Sequence, residues 1–467
     1  MQEFGLIGLG VMGKSLCRNL AGKGFRLSLY NRFVPDIEEN VAVGFIGEHQ
    51  VLSTACGFQE IAPFVASLQL PRKIFLMVPA GEAVDEMIAS LLPHLSNGDV
   101  LMDGGNSFYK DTERRCQKLQ QAGILYIGTG VSGGEEGALK GPSIMAGGSL
   151  EAYTLVRKFL ESIAAKDIEQ KPCCAFIGNG GAGHFVKMVH NGIEYAEMQL
   201  LAEIYSILRF TCKYSPDEIA GLLTTQLATN LNSYLLEITI EVLQKKEGEQ
   251  WLIDKILDKA GNKGTGGWTT IAACELGVPV PTLTAALFAR YQSEFLVDRT
   301  AAAGLYPLKQ DAAFVNSNEL FNAYRLARII NHHQGFHLIE AASEKYNWNI
   351  NLPELARIWT NGCIIRSKLM VSLQNLLKDN KQLLQHSSIV LEVNNYYESF
   401  TNMVALATTN RVAVPCMASA VHYLHAYTQV QSNANIIQAQ RDFFGAHTYL
   451  RKDDSSGKKY HTKWLND

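Results

Sequence analysis

GLIGLGVMG, residues 5–13, decides the fold. An apolar run leads straight into Gly8, Gly10 and Gly13 in GxGxxG spacing, and a helical pattern follows at once. Strand, glycine turn and helix in that order open a dinucleotide-binding domain. The glycines permit a tight turn and close backbone approach to a pyrophosphate. The pyrophosphate then rests on the helix N-terminus, where unpaired N–H groups and the dipole favour an anion. A turn of purely structural purpose is the competing reading, and the placement between strand and helix argues against it. Leu9, Val11 and Met12, between the glycines, are expected to line the same site.

The first third of the chain repeats this alternation. FGLIGLG, FRLSLYN, KIFLMVP, DVLMDGG and ILYIGTGV read as strands separated by helical patterns, which predicts a mostly parallel sheet covered on both faces. After about Gly178 the style changes: long amphipathic patterns dominate and strand signals nearly vanish. The expected organisation is an α/β Rossmann-like domain over 1–178, a large all-α domain over 179–434 and a C-terminal tail over 435–467. Glu203 and Pro216 recur at the same mutual spacing as Glu340 and Pro353, a weak hint that the helical part is duplicated. The tail, beginning near RDFFGAH, is polar and turn-rich with scattered aromatics, and is expected to pack on something beyond itself.

The second strand ends in LYNRF. A fold that prefers NAD places Asp or Glu there for the ribose hydroxyls, whereas this chain has Asn31 and Arg32. A guanidinium pairs with a 2′-phosphate in bidentate fashion, so NADP is the expected cofactor.

Composition points away from other partners. Lys and Arg number 42 against 45 Asp and Glu, a net charge of −3 without a long basic block, so neither nucleic acid nor an anionic membrane is the expected partner. Any anion must be met by a local cluster. The 9 cysteines include no CxxC pair, and the start lacks the pattern of a secretory signal. Reduced thiols in a cytoplasmic protein are expected, with no metal site.

GHFVKMVHNGIEY, residues 183–195, is the second decisive stretch. Phe185, Val186, Met188, Val189 and Ile193 supply one apolar face of a helix. Lys187, Asn191 and Glu194 fall at i, i+4 and i+7, with His190 at i+3, so a base, an amide, an acid and an imidazole share the other face. A solvated charge ladder is the ordinary fate of such a face. The rest of the chain decides otherwise.

Four further stretches accompany that helix: MDGGNS around Asn106, GVSGGEEGALKGPSIMAGG from Gly130, NKGTGGW from Asn262 and QRDFFGAH from Gln440. Together the five closely resemble the 6-phosphogluconate dehydrogenase family, from the first strand to the tail, at the length of its bacterial members. The resemblance implies decarboxylating, NADP-dependent chemistry of the pentose phosphate pathway, used in gluconate utilisation. 6-Phosphogluconate is oxidised at C3, the β-keto acid loses CO2, and the enediol becomes ribulose 5-phosphate. By the same resemblance Lys187 is the general base and acid at C3, and Glu194 protonates C1. Asn106 bridges cofactor and substrate. Ser132, Gly133, Gly134, His190 and Asn191 hold the carboxylate and hydroxyls. The C6 phosphate falls to Tyr195, Lys263, Thr265, Arg290, Arg441 and His447, the last two from the partner chain of a homodimer. The cofactor is expected to meet Gly8 to Gly13, Asn31 to Phe33, and Val78, Pro79 and Ala80, along with Asn106.

Three positions depart from the family pattern. Phe33 stands where Thr is usual, Pro79 where Lys is common, and Gly10 where Ala is frequent. The first two remove groups expected near the 2′-phosphate, so NAD is the alternative cofactor. Gly267 replaces a common Lys after GTG. A shorter β-hydroxyacid dehydrogenase shares the glycine turn, the SGG loop and a lysine helix, and is the rival activity. A non-catalytic scaffold would show damage at Lys187 or Glu194, and none is present.

Overall fold

Five of the eight strands of the main sheet lie where the apolar runs predict: β1 Phe4–Ile7, β2 Leu27–Tyr30, β4 Lys73–Leu76, β5 Val100–Asp103 and β6 Leu125–Ser132. Three escape the pattern. β3 Cys56–Phe58 is a three-residue edge strand, β7 Ser143–Gly148 ends in two glycines, and β8 Cys174–Gly178 begins within the cysteine pair. Short edge strands and glycine-rich strands carry little periodic signal. The computed structural model describes residues 1–261, 264–306, 314–379 and 382–465.

The order is β3-β2-β1-β4-β5-β6-β7-β8. Strands β3 to β6 pair in parallel, β7 runs antiparallel to β6, and β8 is parallel to β7. Strand order reverses between β1 and β4, the place where an open α/β sheet binds its nucleotide. Strands β1, β2 and β5 are buried along their whole length, as helices on both faces require.

The helix Ala182–Ser206 follows β8 directly and has 25 residues. Its apolar positions Phe185, Val186, Met188, Val189 and Ile193 enter one core with Leu283, Phe336, Leu338 and Trp359. Burial of each such side chain is worth about 1.5–3 kcal/mol, which is what seats the helix. The partner helix Ser317–Tyr346 locks to it through buried polar groups: Arg328 donates to Glu197 at 2.7 Å, and Asn331 donates to the Ile193 carbonyl at 3.1 Å.

The two halves of the helical part have parallel designs. After Ala182–Ser206 comes Pro216–Gln226, capped by Ser215, whose own N–H donates to the Glu218 carboxylate. After Ser317–Tyr346 comes Leu352–Ile358, capped by Asn351. Ser233 then caps Tyr234–Gln244, and the Ser367 hydroxyl accepts from Met370 N at the start of Lys368–Asp379. The two serines pair as an antiparallel bridge. A two-stranded ribbon, Lys246–Glu247 with Gln250–Trp251, interrupts the helices.

The chain clusters into two compact units, Met1–Ser419 and Ala420–Asp467. In the second, Asp442 on the helix Ala434–Gly445 is fully buried and accepts from Thr448 N, His461 Nδ1, Thr462 N and Trp464 Nε1. One carboxylate thus fastens the tail back onto its own helix. The four donors hold its carboxyl down at about 2 against the effect of burial. Phe443, Phe444 and Leu465 of this unit remain exposed. Among the described residues no helix is long and apolar enough to cross a membrane, and all nine cysteines are free thiols.

Candidate active site

The glycine turn has the geometry its residues predict. Gly8 sits at φ +95°, and a Cβ there would lie 2.5 Å from the Met77 carbonyl oxygen, so only glycine fits between β1 and β4. A Cβ on Gly13 would run into the Gly8 carbonyl, whereas one at Gly10 would meet nothing. That open face, at the N-terminus of the helix Val11–Gly22, is a cradle fitted to a pyrophosphate. Asn31 Oδ1 accepts from Leu9 N at 3.2 Å, tying the end of β2 to the turn. Arg32 and Phe33 are exposed beside it, and Pro79 and Ala80 are exposed beyond β4. The residues present fit a dinucleotide, with a guanidinium at the ribose end.

Lys187 lies on the helix Ala182–Ser206 and is 7% exposed. Its burial follows from the sheet beneath it: a Cβ at Gly130 of β6 would be 2.6 Å from the Lys187 Cβ. Lys187 Nζ is 3.5 Å from His190 Nδ1, which is also 3.4 Å from Asn191 Oδ1 and 3.6 Å from Glu194 Oε2. The other imidazole nitrogen is 3.2 Å from Ser132 Oγ. Base, acid, imidazole and loop serine therefore meet at one point. Burial pulls the Lys187 ammonium below its ordinary pKa, and the Glu194 charge opposes that pull. His190 is driven well below its usual value by burial and then by the lysine, so it stands neutral.

The SGG loop is shaped from a distance. Gly133 sits at φ +116°, and a Cβ there would lie 2.6 Å from the Gly362 carbonyl oxygen. Gly362 is held by Ser143 N at 2.8 Å, and Trp359 packs edge-on to His190 with centroids 5.4 Å apart. Cys363 is buried in the same core as Trp359, and burial pushes its thiol up to about 12. Sequence reasoning missed Trp359, Gly362 and Cys363, because no local pattern relates them to a helix more than 160 positions upstream.

On the far side, Asn191 Nδ2 donates to Thr265 Oγ1 at 3.1 Å, and Thr265 opens the helix Thr265–Leu276. The Arg290 guanidinium lies 3.6 Å from the centre of the Tyr195 ring and donates to the Gly261 carbonyl. Lys263 lies outside the described residues. Asn106 is exposed on the loop after β5, whose base Asp103 anchors by accepting from Gly105 N and Ser107 Oγ. His184 Nε2 donates to the Asp103 carbonyl at 3.1 Å, so that loop is coupled to the lysine's helix. Arg441 and His447 belong to the second unit, where Arg441 donates to Gln438 and His447 packs against Phe444.

A family model described as the NAD binding domain of 6-phosphogluconate dehydrogenase matches residues 3–178, and one described as the 6-phosphogluconate dehydrogenase C-terminal domain matches 183–464. The NADP(+)-dependent, decarboxylating 6-phosphogluconate dehydrogenase of Bacillus subtilis is 45% identical over 474 residues, covering 99% of each chain. The decarboxylating enzyme of Escherichia coli is 42% identical over 478 residues, covering 100% of this chain and 99% of its own. The solved 6-phosphogluconate dehydrogenase of Plasmodium falciparum superposes with a TM-score of 0.93 at 38% identity, covering 99% of this chain and 100% of that one. That enzyme is described in its apo form, with NADP+ and with 6-phosphogluconate.

Proposed function

The chain belongs to the 6-phosphogluconate dehydrogenase family, and on that premise we propose how its residues divide the reaction. It is an NADP-dependent oxidoreductase that converts 6-phosphogluconate to ribulose 5-phosphate and CO2. Coverage from end to end favours this over a shorter β-hydroxyacid dehydrogenase. The observation that carries the assignment of roles is the buried Lys187 amine, poised with Glu194 and His190 under the Ser132 loop.

Bound NADP would supply the hydride acceptor for the oxidation at C3. Lys187, whose ammonium burial disfavours, acts in its neutral form, takes the C3 hydroxyl proton and returns it to the carbonyl oxygen as CO2 departs. Glu194 delivers a proton to C1 of the enediol. Ser132, Gly133, Gly134, neutral His190 and Asn191 orient the substrate carboxylate and hydroxyls, and Asn106 spans the cofactor and substrate sides. Gly8 to Gly13 with Asn31 and Arg32 hold the nucleotide, and Phe33, Val78, Pro79 and Ala80 line its flank. Tyr195, Lys263, Thr265 and Arg290 receive the phosphate.

Arg441 and His447 complete that phosphate site from a second copy of this chain. Two features support a homodimer: the exposed Phe443 and Phe444, and the helix Leu296–Leu305, which has no buried residue. A cytoplasmic setting is supported by the free thiols and a phosphorylated substrate. A division at 178 is supported by the end of the sheet at Gly178.

The test is absorbance at 340 nm. The wild type should reduce NADP only with 6-phosphogluconate, and Lys187→Ala should lose at least about 10²-fold in rate, the typical contribution of a positioned base. A Lys187→Ala enzyme of wild-type rate would remove the lysine from the mechanism.

A further inference from the structure

β2 ends without an acidic residue, yet a carboxylate reaches its end from the loop beyond. Val34 N donates to the Glu38 carbonyl at 3.0 Å and Glu38 N donates back to Val34 at 2.8 Å, folding the segment upon itself. The reversal delivers the Glu38 side chain to the two residues that follow β2. Its Oε2 accepts from Asn31 Nδ2 at 3.0 Å and from Arg32 Nε at 3.3 Å. Asn31 in turn accepts from Leu9 N, so a single side chain separates this carboxylate from the pyrophosphate turn.

Two recognition chemistries thus sit in contact. A carboxylate beside the end of the second strand accepts ribose hydroxyls, and a guanidinium there pairs with a 2′-phosphate. We infer that Glu38 is a specificity-determining residue, which competes with the 2′-phosphate of NADP for Arg32 and accepts the ribose hydroxyls of NAD, so that the site takes both nucleotides. The inference rests on the nucleotide site assigned above.

The ion pair is loosely held, because the Arg32 side chain is 70% exposed and that of Glu38 33%. A docking phosphate dianion displaces it and then faces the freed carboxylate as a like charge. NAD brings no such charge, so Arg32 stays on Glu38 while a ribose hydroxyl donates to the same carboxylate. Glu38 therefore weakens NADP and strengthens NAD.

Calorimetric titration of the full chain with NADP and with NAD, each at matched low and high ionic strength, tests this without turnover. Glu38→Gln should bind NADP about three- to tenfold more tightly and NAD at least about threefold more weakly, the NADP gain shrinking as salt is raised. Arg32→Ala should lose about tenfold or more for NADP while NAD stays within about threefold. An unchanged NADP-to-NAD ratio in Glu38→Gln, or equal weakening of both, overturns the role of Glu38. A wild type that binds neither nucleotide overturns the site itself, and the inference with it.

Discussion

Lys187 and Glu194 share one face of a helix, and their charges are linked. The glutamate carboxylate stabilises the ammonium, so it holds the lysine's pKa higher than burial alone would. Glu194→Gln removes that support, the ammonium becomes less favourable, and the lysine is neutral at lower pH. The acid limb of kcat/KM for the oxidation should therefore move to lower pH, while kcat falls by about 10²-fold for loss of the acid. A limb that stays in place or moves upward would contradict the coupling. These two residues, with His190 and Asn191, were legible from helical spacing. Ser132 was identified only through its motif, and Trp359 not at all, since each reaches His190 through packing.

At the scale of elements, the lysine's position is set by how closely the helix Ala182–Ser206 lies on the sheet. A Cβ at Gly130 would press on Lys187 Cβ at 2.6 Å and on the Gly183 carbonyl at 3.1 Å, neither of which is the free end of a flexible chain. Gly130→Ala should destabilise by about 1–3 kcal/mol as an overpacked contact and lower kcat by displacing the amine. Gly221→Ala, inside the helix Pro216–Gln226 with nothing near its Cβ, should be neutral or stabilise by up to about 1 kcal/mol. Urea titration and kcat measured on both variants check the contrast. Strands such as FGLI and VLMD announce themselves because both their faces are buried. SIMAGG in β7 does not, since its glycines are there for close approach and carry no apolar signal: a Cβ on Gly147 would overlap the backbone of Gly183.

At the scale of the whole molecule, the proposed trans site makes a complementation test available. Subunits carrying Lys187→Ala and subunits carrying Arg441→Ala should each be nearly inactive, and a mixed dimer contains one site with an intact lysine and an intact tail. Activity should reappear once exchange is demonstrated by a tagged subunit. A mixture that exchanges and stays inactive means that Arg441 serves its own subunit. The tail's own fastening does not depend on that outcome, because Asp442 gathers its donors within the second unit.

The sequence by itself determined the strand–glycine–helix opening, the switch from sheet to helices near Gly178, and the polar face from Lys187 to Glu194. All three are written in neighbouring residues, because backbone periodicity and the space a glycine frees are local properties. The tertiary structure alone decided that Glu38 meets Arg32, that Asn191 meets Thr265, and that Gly362 shapes the SGG loop. Those contacts depend on how whole elements pack and where loops turn back. Such packing is a collective outcome of the buried core, and no short stretch of the chain encodes it.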